Sequence, residues 1–207
     1  MNWIAAKPDF WDGRTAIILA HGAGQGMDSP FMSYFHEELA RRGLLTVKFN
    51  FEYIDQKRKI PDSQPKLQAR YRTVVSEVME GHKPEHIVIG GKSMGGRVAS
   101  YIAGDMLGVK GLVFLGYPLH PPGKQDQLRD QHLYGLNLPM LFISGTKDTF
   151  AERSLLENVV GKIGDRATLT WIEGGDHSLK KGKGDKESLP RAAEYVTAWT
   201  KKLTSGP

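Results

Sequence analysis

The sequence predicts an α/β fold with a mostly parallel sheet, in one domain spanning residues 1–207. Two observations predict it. Short apolar runs rich in β-branched residues alternate with longer amphipathic segments along the whole chain. In addition, the run Ile87-Val88-Ile89-Gly90 leads directly into Gly91-Lys92-Ser93-Met94-Gly95 and then into a helix-forming segment, a strand–turn–helix unit built around Gly-x-Ser-x-Gly.

Each element follows from local signals. Thr15 to Ala20 is a continuous apolar run and reads as a buried strand. Ser29-Pro30 opens a helix, with Ser29 as cap and Pro30 in the first turn, that runs to Arg42 and stops at Gly43. Leu44 to Phe51 is the second strand. Glu52 to Pro65 is polar, holds two prolines and reads as a loop. A helix follows over Leu67 to Glu80, stopped by Gly81. His86 to Gly90 is the third strand, Met94 to Leu107 the next helix and Leu112 to Tyr117 the fourth strand. Leu119 to Leu138, with Pro121-Pro122-Gly123, is an irregular excursion. Met140 to Ser144 is the fifth strand, Ser154 to Ile163 a short helix, Ala167 to Ile172 the sixth strand and Leu189 to Leu203 a closing amphipathic helix. No repeat or low-complexity linker divides the chain.

Composition narrows the function. The 207 residues suit one domain, and a hydrophobic content of 40% supports a sizeable core. The chain has no cysteine, so disulfides, thiolate metal sites and a cysteine nucleophile are excluded. That fits a reducing cytoplasm, where we expect the protein. The N-terminal Met1-Asn2-Trp3-Ile4-Ala5-Ala6-Lys7-Pro8 does not read as a secretory signal, and no segment has the length of a membrane span. Net charge is +5, and the pI is near 9.3. The densest cationic run, Lys180-Lys181-Gly182-Lys183-Gly184-Asp185-Lys186, is broken by glycine, carries an acid and lacks an aromatic for base stacking. It reads as a solvated loop, and neither nucleic acid nor membrane is expected as a partner.

Chemistry concentrates at the carboxyl ends of strands, where open parallel sheets place their ligands. Gly91 and Gly95 flank Ser93 where a strand must turn sharply into a helix, which lifts the hydroxyl clear of the sheet edge. Asp148 follows the fifth strand in Gly145-Thr146-Lys147-Asp148. His177 follows the sixth in Glu173-Gly174-Gly175-Asp176-His177. A serine hydroxyl needs a base to take its proton, imidazole can take and return one near neutral pH, and a carboxylate fixes the imidazole tautomer. Ser93, Asp148 and His177 are therefore the expected nucleophile, acid and base. Asp176 is a rival acid, but adjacent side chains usually point apart. Ala20-His21-Gly22-Ala23-Gly24-Gln25-Gly26 can aim a backbone N–H at a developing oxyanion. Ala23 is the expected first donor, Gly24 its alternative and Met94 the second donor. The same glycines compete as a phosphate-binding loop, but they lack the Gly-Lys-Ser/Thr ending and the dinucleotide spacing.

On these residues the chain resembles the α/β-hydrolases over nearly all its length. His21-Gly22-Ala23-Gly24, Phe49-Asn50-Phe51, Gly90 to Arg97, Gly116 to Gly123, Gly145 to Asp148 and Gly174 to His177 match in order. The combination is similar to a small, capless, dienelactone-hydrolase-like branch, which also contains a vertebrate testis-expressed protein and a chromatin-complex subunit. The resemblance implies three layers, helices on both faces of a six-stranded sheet and strand order 2-1-3-4-5-6. The two extra antiparallel strands that open the full fold are expected to be absent or rudimentary. Only about fourteen residues precede Thr15, and Pro8 and Gly13 interrupt them. Serine in place of the cysteine of dienelactone hydrolases favours ordinary ester cleavage.

Without a cap the site should be open and shallow, suited to small or medium acyl esters. Met27, Phe31, Tyr53, Tyr117, Leu119 and His120 are candidates for its rim, with Met27, Tyr53, Tyr117 and His120 the expected substrate-binding residues. Lys92, beside the nucleophile in sequence, either draws in anionic substrates or turns behind the elbow to pair with an acid, and the second, structural role is favoured. No metal or organic cofactor is implied. The expected function is a serine hydrolase acting on esters or thioesters. The alternatives are a non-enzymatic interaction module on the same fold, or an acyltransferase or perhydrolase using the same acyl-enzyme.

Overall fold

The computed structural model describes residues 3–204; Met1, Asn2 and residues 205–207, with the part of the N-terminal reading that falls on them, lie outside the described residues. Seven strands form one sheet: β1 (Trp3–Ala6), β2 (Thr15–Ala20), β3 (Leu45–Phe49), β4 (His86–Lys92), β5 (Val109–Leu115), β6 (Met140–Gly145) and β7 (Ala167–Ile172). Their order across the sheet is β1-β3-β2-β4-β5-β6-β7. Every neighbouring pair is parallel except β1 with β3. The six parallel strands thus take the expected order, with the switch point between β2 and β4.

The helices are α1 (Pro30–Arg41), α2 (Glu52–Asp55), α3 (Gln64–His82), α4 (Met94–Ile102), α5 (Gln131–Tyr134), α6 (Arg153–Ile163) and α7 (Ser188–Thr204). Strand residues alternate between two apolar layers, as the period of two requires. Ile18, Ile89, Phe114 and Phe142 face a core closed by α3, α4 and α6. Ile17, Val88, Val113 and Ile143 face a second core closed by Phe31, Phe35 and Leu39 of α1 and by Ala192, Ala193 and Val196 of α7. Both sheet faces are covered, so the central strands read as unbroken apolar runs rather than alternating ones. Each fully buried Leu, Ile or Phe contributes about 1.5–3 kcal/mol relative to its exposed state.

The structure departs from expectation in loops and helix ends, whereas the front of the chain is rudimentary, as expected, with one four-residue antiparallel strand, β1. Pro8 and Gly13 fall after Trp3–Ala6 rather than within it, and this edge strand is held by pairing with β3 and by the Trp3 indole, which donates to Glu77 Oε2 at 2.7 Å. The polar stretch Glu52 to Pro65 contains α2, seated by the buried ring of Tyr53. Helix α3 continues through Gly81 to His82 and ends on Lys83 in the left-handed region, φ 49°. A glycine inside a helix costs about 1 kcal/mol, too little to stop one already packed on its sheet. Helix α4 ends early, at Ile102, and tightens into a 3-10 turn over Ala103–Asp105. Among the described residues no helix is long and apolar enough to cross a membrane.

The elbow depends on close backbone approach between β4, α4 and β2. A Cβ at Gly91 or at Gly95 would fall inside van der Waals contact of the Ala20 carbonyl oxygen, and Gly91 also sits at φ 150°. That contact is backbone on both sides and has no rotamer through which to relax. Gly95→Ala is therefore expected to cost at least about 1–3 kcal/mol by urea unfolding. An unchanged midpoint would show that the β2–α4 spacing is softer than the structure has it.

Candidate active site

Ser93 sits between β4 and α4 at φ 49°, ψ −115°, a backbone conformation unfavourable for a residue with a Cβ. The strain lifts its hydroxyl above the sheet edge. His177 Nε2 lies 2.9 Å from Ser93 Oγ. His177 Nδ1 lies 2.9 Å and 2.8 Å from the two carboxylate oxygens of Asp148. Asp148 is buried, and its Oδ1 also accepts the Phe150 N–H at 2.8 Å. The carboxylate accepts from Nδ1–H, which leaves Nε2 as the free lone pair facing the serine hydroxyl. The Phe150 ring packs 4.3 Å from the imidazole, centroid to centroid, and steadies its plane.

The rival acid has other work. Asp176 is exposed, and its Oδ1 accepts the N–H groups of Ser178 and Lys180, shaping the loop that carries His177. This loop meets the Asp148 turn because the ends of β6 and β7 nearly touch. A Cβ on Gly145 would overlap the Gly175 carbonyl oxygen.

Ala23 and Met94 both border the cleft at Ser93. Neither N–H donates to an acceptor among the described residues. The Met94 N–H belongs to the first turn of α4, where backbone donors are unsatisfied and the helix dipole favours negative charge. The N–H of Gly24, the alternative donor, is already given to Tyr53 Oη at 3.1 Å. Buried His21 braces the same loop. Its Nε2 accepts the Phe51 N–H at 3.2 Å, so its proton is on Nδ1 and donates to the Gly22 carbonyl at 2.8 Å. Burial lowers the pKa of this ring and keeps it neutral.

The expected substrate-binding residues are elsewhere. Tyr53 is fully buried and serves the Gly24 loop through its hydroxyl. Tyr117 packs edge-on against Phe114 and Phe142 and donates to the Arg129 carbonyl at 2.6 Å. His120 is buried; its Nε2 accepts the Glu152 N–H at 3.1 Å, and its Nδ1 donates to the Pro121 carbonyl at 2.9 Å. Met27 gives its N–H to Asn50 Oδ1 at 2.8 Å, outside the cleft. Phe31 and Leu119 are also core residues. Aromatic side chains near strand ends bury more readily than they line an open rim, and each polar tip here found a backbone partner.

The cleft at Ser93 holds about 280 Å³. Leu67, Val98, Tyr101 and Phe150 give it apolar walls, and Arg97 and Arg129 give it charge. Sequence reasoning singles out neither arginine: Arg97 carries a signal in its place one helical turn beyond Ser93, and Arg129, in the irregular excursion, has no local signal.

Lys92 turns behind the elbow, but onto a carbonyl rather than an acid. Its ammonium donates to the backbone oxygen of His177 and lies over the Phe31 ring, 5.3 Å from the centroid. Only 6% of the residue is exposed, so it meets no substrate.

A strained serine at a strand–helix elbow, hydrogen-bonded through an imidazole to a buried carboxylate over a capless parallel sheet, defines an α/β-hydrolase site. The chain belongs to the alpha/beta hydrolase domain family, whose model matches residues 13–203. Among solved structures it is similar to dienelactone hydrolase from Anabaena variabilis, at 21% identity over 97% of this chain and 90% of that one, TM-score 0.75. It is similar to Est1E from Butyrivibrio proteoclasticus, solved with ferulic acid bound, at 15% identity over 99% and 96%, TM-score 0.78. It is also similar to XC6422 from Xanthomonas campestris, a serine hydrolase without a lid, at 16% identity over 99% and 90%, TM-score 0.75.

Burial drives the Lys92 ammonium pKa down to about 8, against the opposing pull of Asp148 and Asp176. Between that value and the ordinary 10.5 the unfolded chain binds a proton that the folded chain has released. The cost of the buried charge is therefore full below pH 8 and fades as pH rises to 10.5. Wild-type stability should gain on Lys92→Met across that window in urea titrations at stepped pH. Parallel pH profiles would refute a buried, depressed lysine.

Proposed function

We propose that the protein is a serine hydrolase that cleaves small or medium carboxylic esters or thioesters through an acyl-enzyme on Ser93. The observation that carries this reading is the unbroken chain from Ser93 Oγ through His177 to Asp148, beside a cleft that can seat an acyl group.

In the first half-reaction Ser93 Oγ attacks the carbonyl carbon as its proton passes to His177 Nε2. Asp148 holds the opposite edge of the ring and stabilises the imidazolium. The carbonyl oxygen becomes an oxyanion within reach of the Ala23 and Met94 N–H groups. Such a donor is typically worth about 2.7–4 kcal/mol of barrier lowering. The tetrahedral intermediate collapses, the C–O or C–S bond breaks, and His177 returns the proton to the leaving group. In the second half-reaction water gives its proton to His177 and attacks the acyl-enzyme, releasing the acid and restoring Ser93. No step calls on a metal or an organic cofactor.

A fluorophosphonate probe tests the reading. Ser93 should be labelled in the wild type and not in Ser93→Ala. His177→Ala and Asp148→Asn should slow ester turnover by about 10³–10⁴-fold while circular dichroism reports an intact fold. A folded wild type that neither labels nor turns over nitrophenyl esters would favour a non-enzymatic interaction module. Faster transfer to an added alcohol or peroxide than to water would favour the acyltransferase or perhydrolase.

A further inference from the structure

Two cations border the Ser93 cleft, and neither has an acidic partner. Arg97 stands on α4 one turn after Ser93, its N–H bonded to the Ser93 carbonyl at 3.1 Å. Its side-chain Nε is buried and has no hydrogen-bond acceptor. Arg129 enters from the excursion between β5 and β6. Among the described residues its guanidinium reaches only the Pro118 carbonyl, at 3.5 Å. Neither forms an ion pair among the described residues. The two guanidinium groups also oppose each other: burial lowers the Arg129 pKa, and Arg97 lowers it further.

Among the described residues neither nearby acid pairs with them, and the nearby imidazole is neutral. Asp62, the acid that lines the cleft, pairs with other cations: its Oδ1 lies 2.6 Å from Arg58 and 3.4 Å from Lys66, while its buried Oδ2 has no hydrogen-bond partner. Asp130 accepts the Tyr134 hydroxyl. His132, stacked on Tyr101 and bonded to Ser100 Oγ, has its pKa lowered to about 4, first by burial and then by Arg97, and so carries no charge near neutral pH. A partly buried guanidinium with an unpaired N–H costs stability unless an anion completes it. Arginine's planar fork matches a carboxylate in a way a lysine does not.

We infer that the cleft selects esters bearing a carboxylate a few bonds from the scissile carbonyl, held by Arg97 and Arg129. This specificity rests on the serine hydrolase reading of Ser93. The apolar walls from Leu67, Val98 and Phe150 take the intervening carbons. The arrangement gives Arg97 the part that Lys92, earlier in the same motif, cannot play from behind the elbow.

Three esters test it: nitrophenyl valerate, which is neutral; nitrophenyl hemiglutarate, with the carboxylate on the acyl side; and acetoxybenzoate, with it on the alcohol side. Wild-type kcat/KM should favour hemiglutarate over valerate by at least about tenfold, or acetoxybenzoate over phenyl acetate by the same margin, and whichever does so identifies the side. The preference should shrink with added salt. Arg97→Gln and Arg129→Gln should each reduce that ratio by about tenfold, and Arg97→Lys should restore part of it. Glutarate or benzoate should slow fluorophosphonate labelling of Ser93 in the wild type, and Arg97→Gln should abolish that protection. Turnover of neutral esters with ratios near one, ratios unmoved in both glutamine variants, or labelling that neither carboxylate slows overturns the specificity and leaves the hydrolase reading standing. Absence of both labelling and turnover removes the two together.

Discussion

The site depends on one close approach, that of the β4–α4 elbow to the last carbonyl of β2. Gly91 and Gly95 bring two stretches of backbone onto the Ala20 oxygen, a spacing that any side chain would prevent. It fixes Ser93 in its strained conformation and places the Ala23 loop, which leaves β2 immediately after Ala20, beside the first turn of α4. The proposed nucleophile and oxyanion donors are thus held by sheet backbone rather than by flexible side chains, which is how a small domain can preorganise charge without a cap.

Around this point the buried polar groups act as braces. His21 ties the Ala23 loop to Phe51, His120 ties the excursion to the segment after Asp148, and Tyr53 takes up the Gly24 N–H. Lys92 holds the backbone of His177 from behind. Each satisfies a main-chain group that would otherwise be stranded between strand ends. The imidazole of His177 is held on three sides: by the Asp148 carboxylate, by the Phe150 ring and, through its own carbonyl, by Lys92.

The fold was readable because its local signals agree. Thr15–Ala20 and Ala167–Ile172 match the expected strands residue for residue, and Ser29 caps α1, its hydroxyl accepting the Met32 N–H. Ser93, Asp148 and His177 were legible because strand ends converge at one edge of a parallel sheet, so chain order alone groups them. The cleft walls were not. Tyr53, Tyr117 and His120 follow the carboxyl ends of β3 and β5, but their side chains turn into the core, and no periodicity reports orientation in a loop. Arg129 reaches the cleft only because the excursion folds back, a tertiary fact with no local trace. Trp3–Ala6 carries little signal of its own because its stability comes from the edge it covers, not from its own four residues.

That short strand has a consequence for solubility. β3 is wholly buried, with Leu45, Val47 and Phe49 in its sequence, and β1 occupies the row of backbone donors and acceptors along its outer side. Antiparallel pairing there closes a flank that another molecule could otherwise extend strand to strand. A chain lacking Trp3–Ala6 would keep its Ser93–His177–Asp148 arrangement and present the unpaired five-residue edge of β3 to its neighbours. Its first failure would be self-association, before any loss of chemistry.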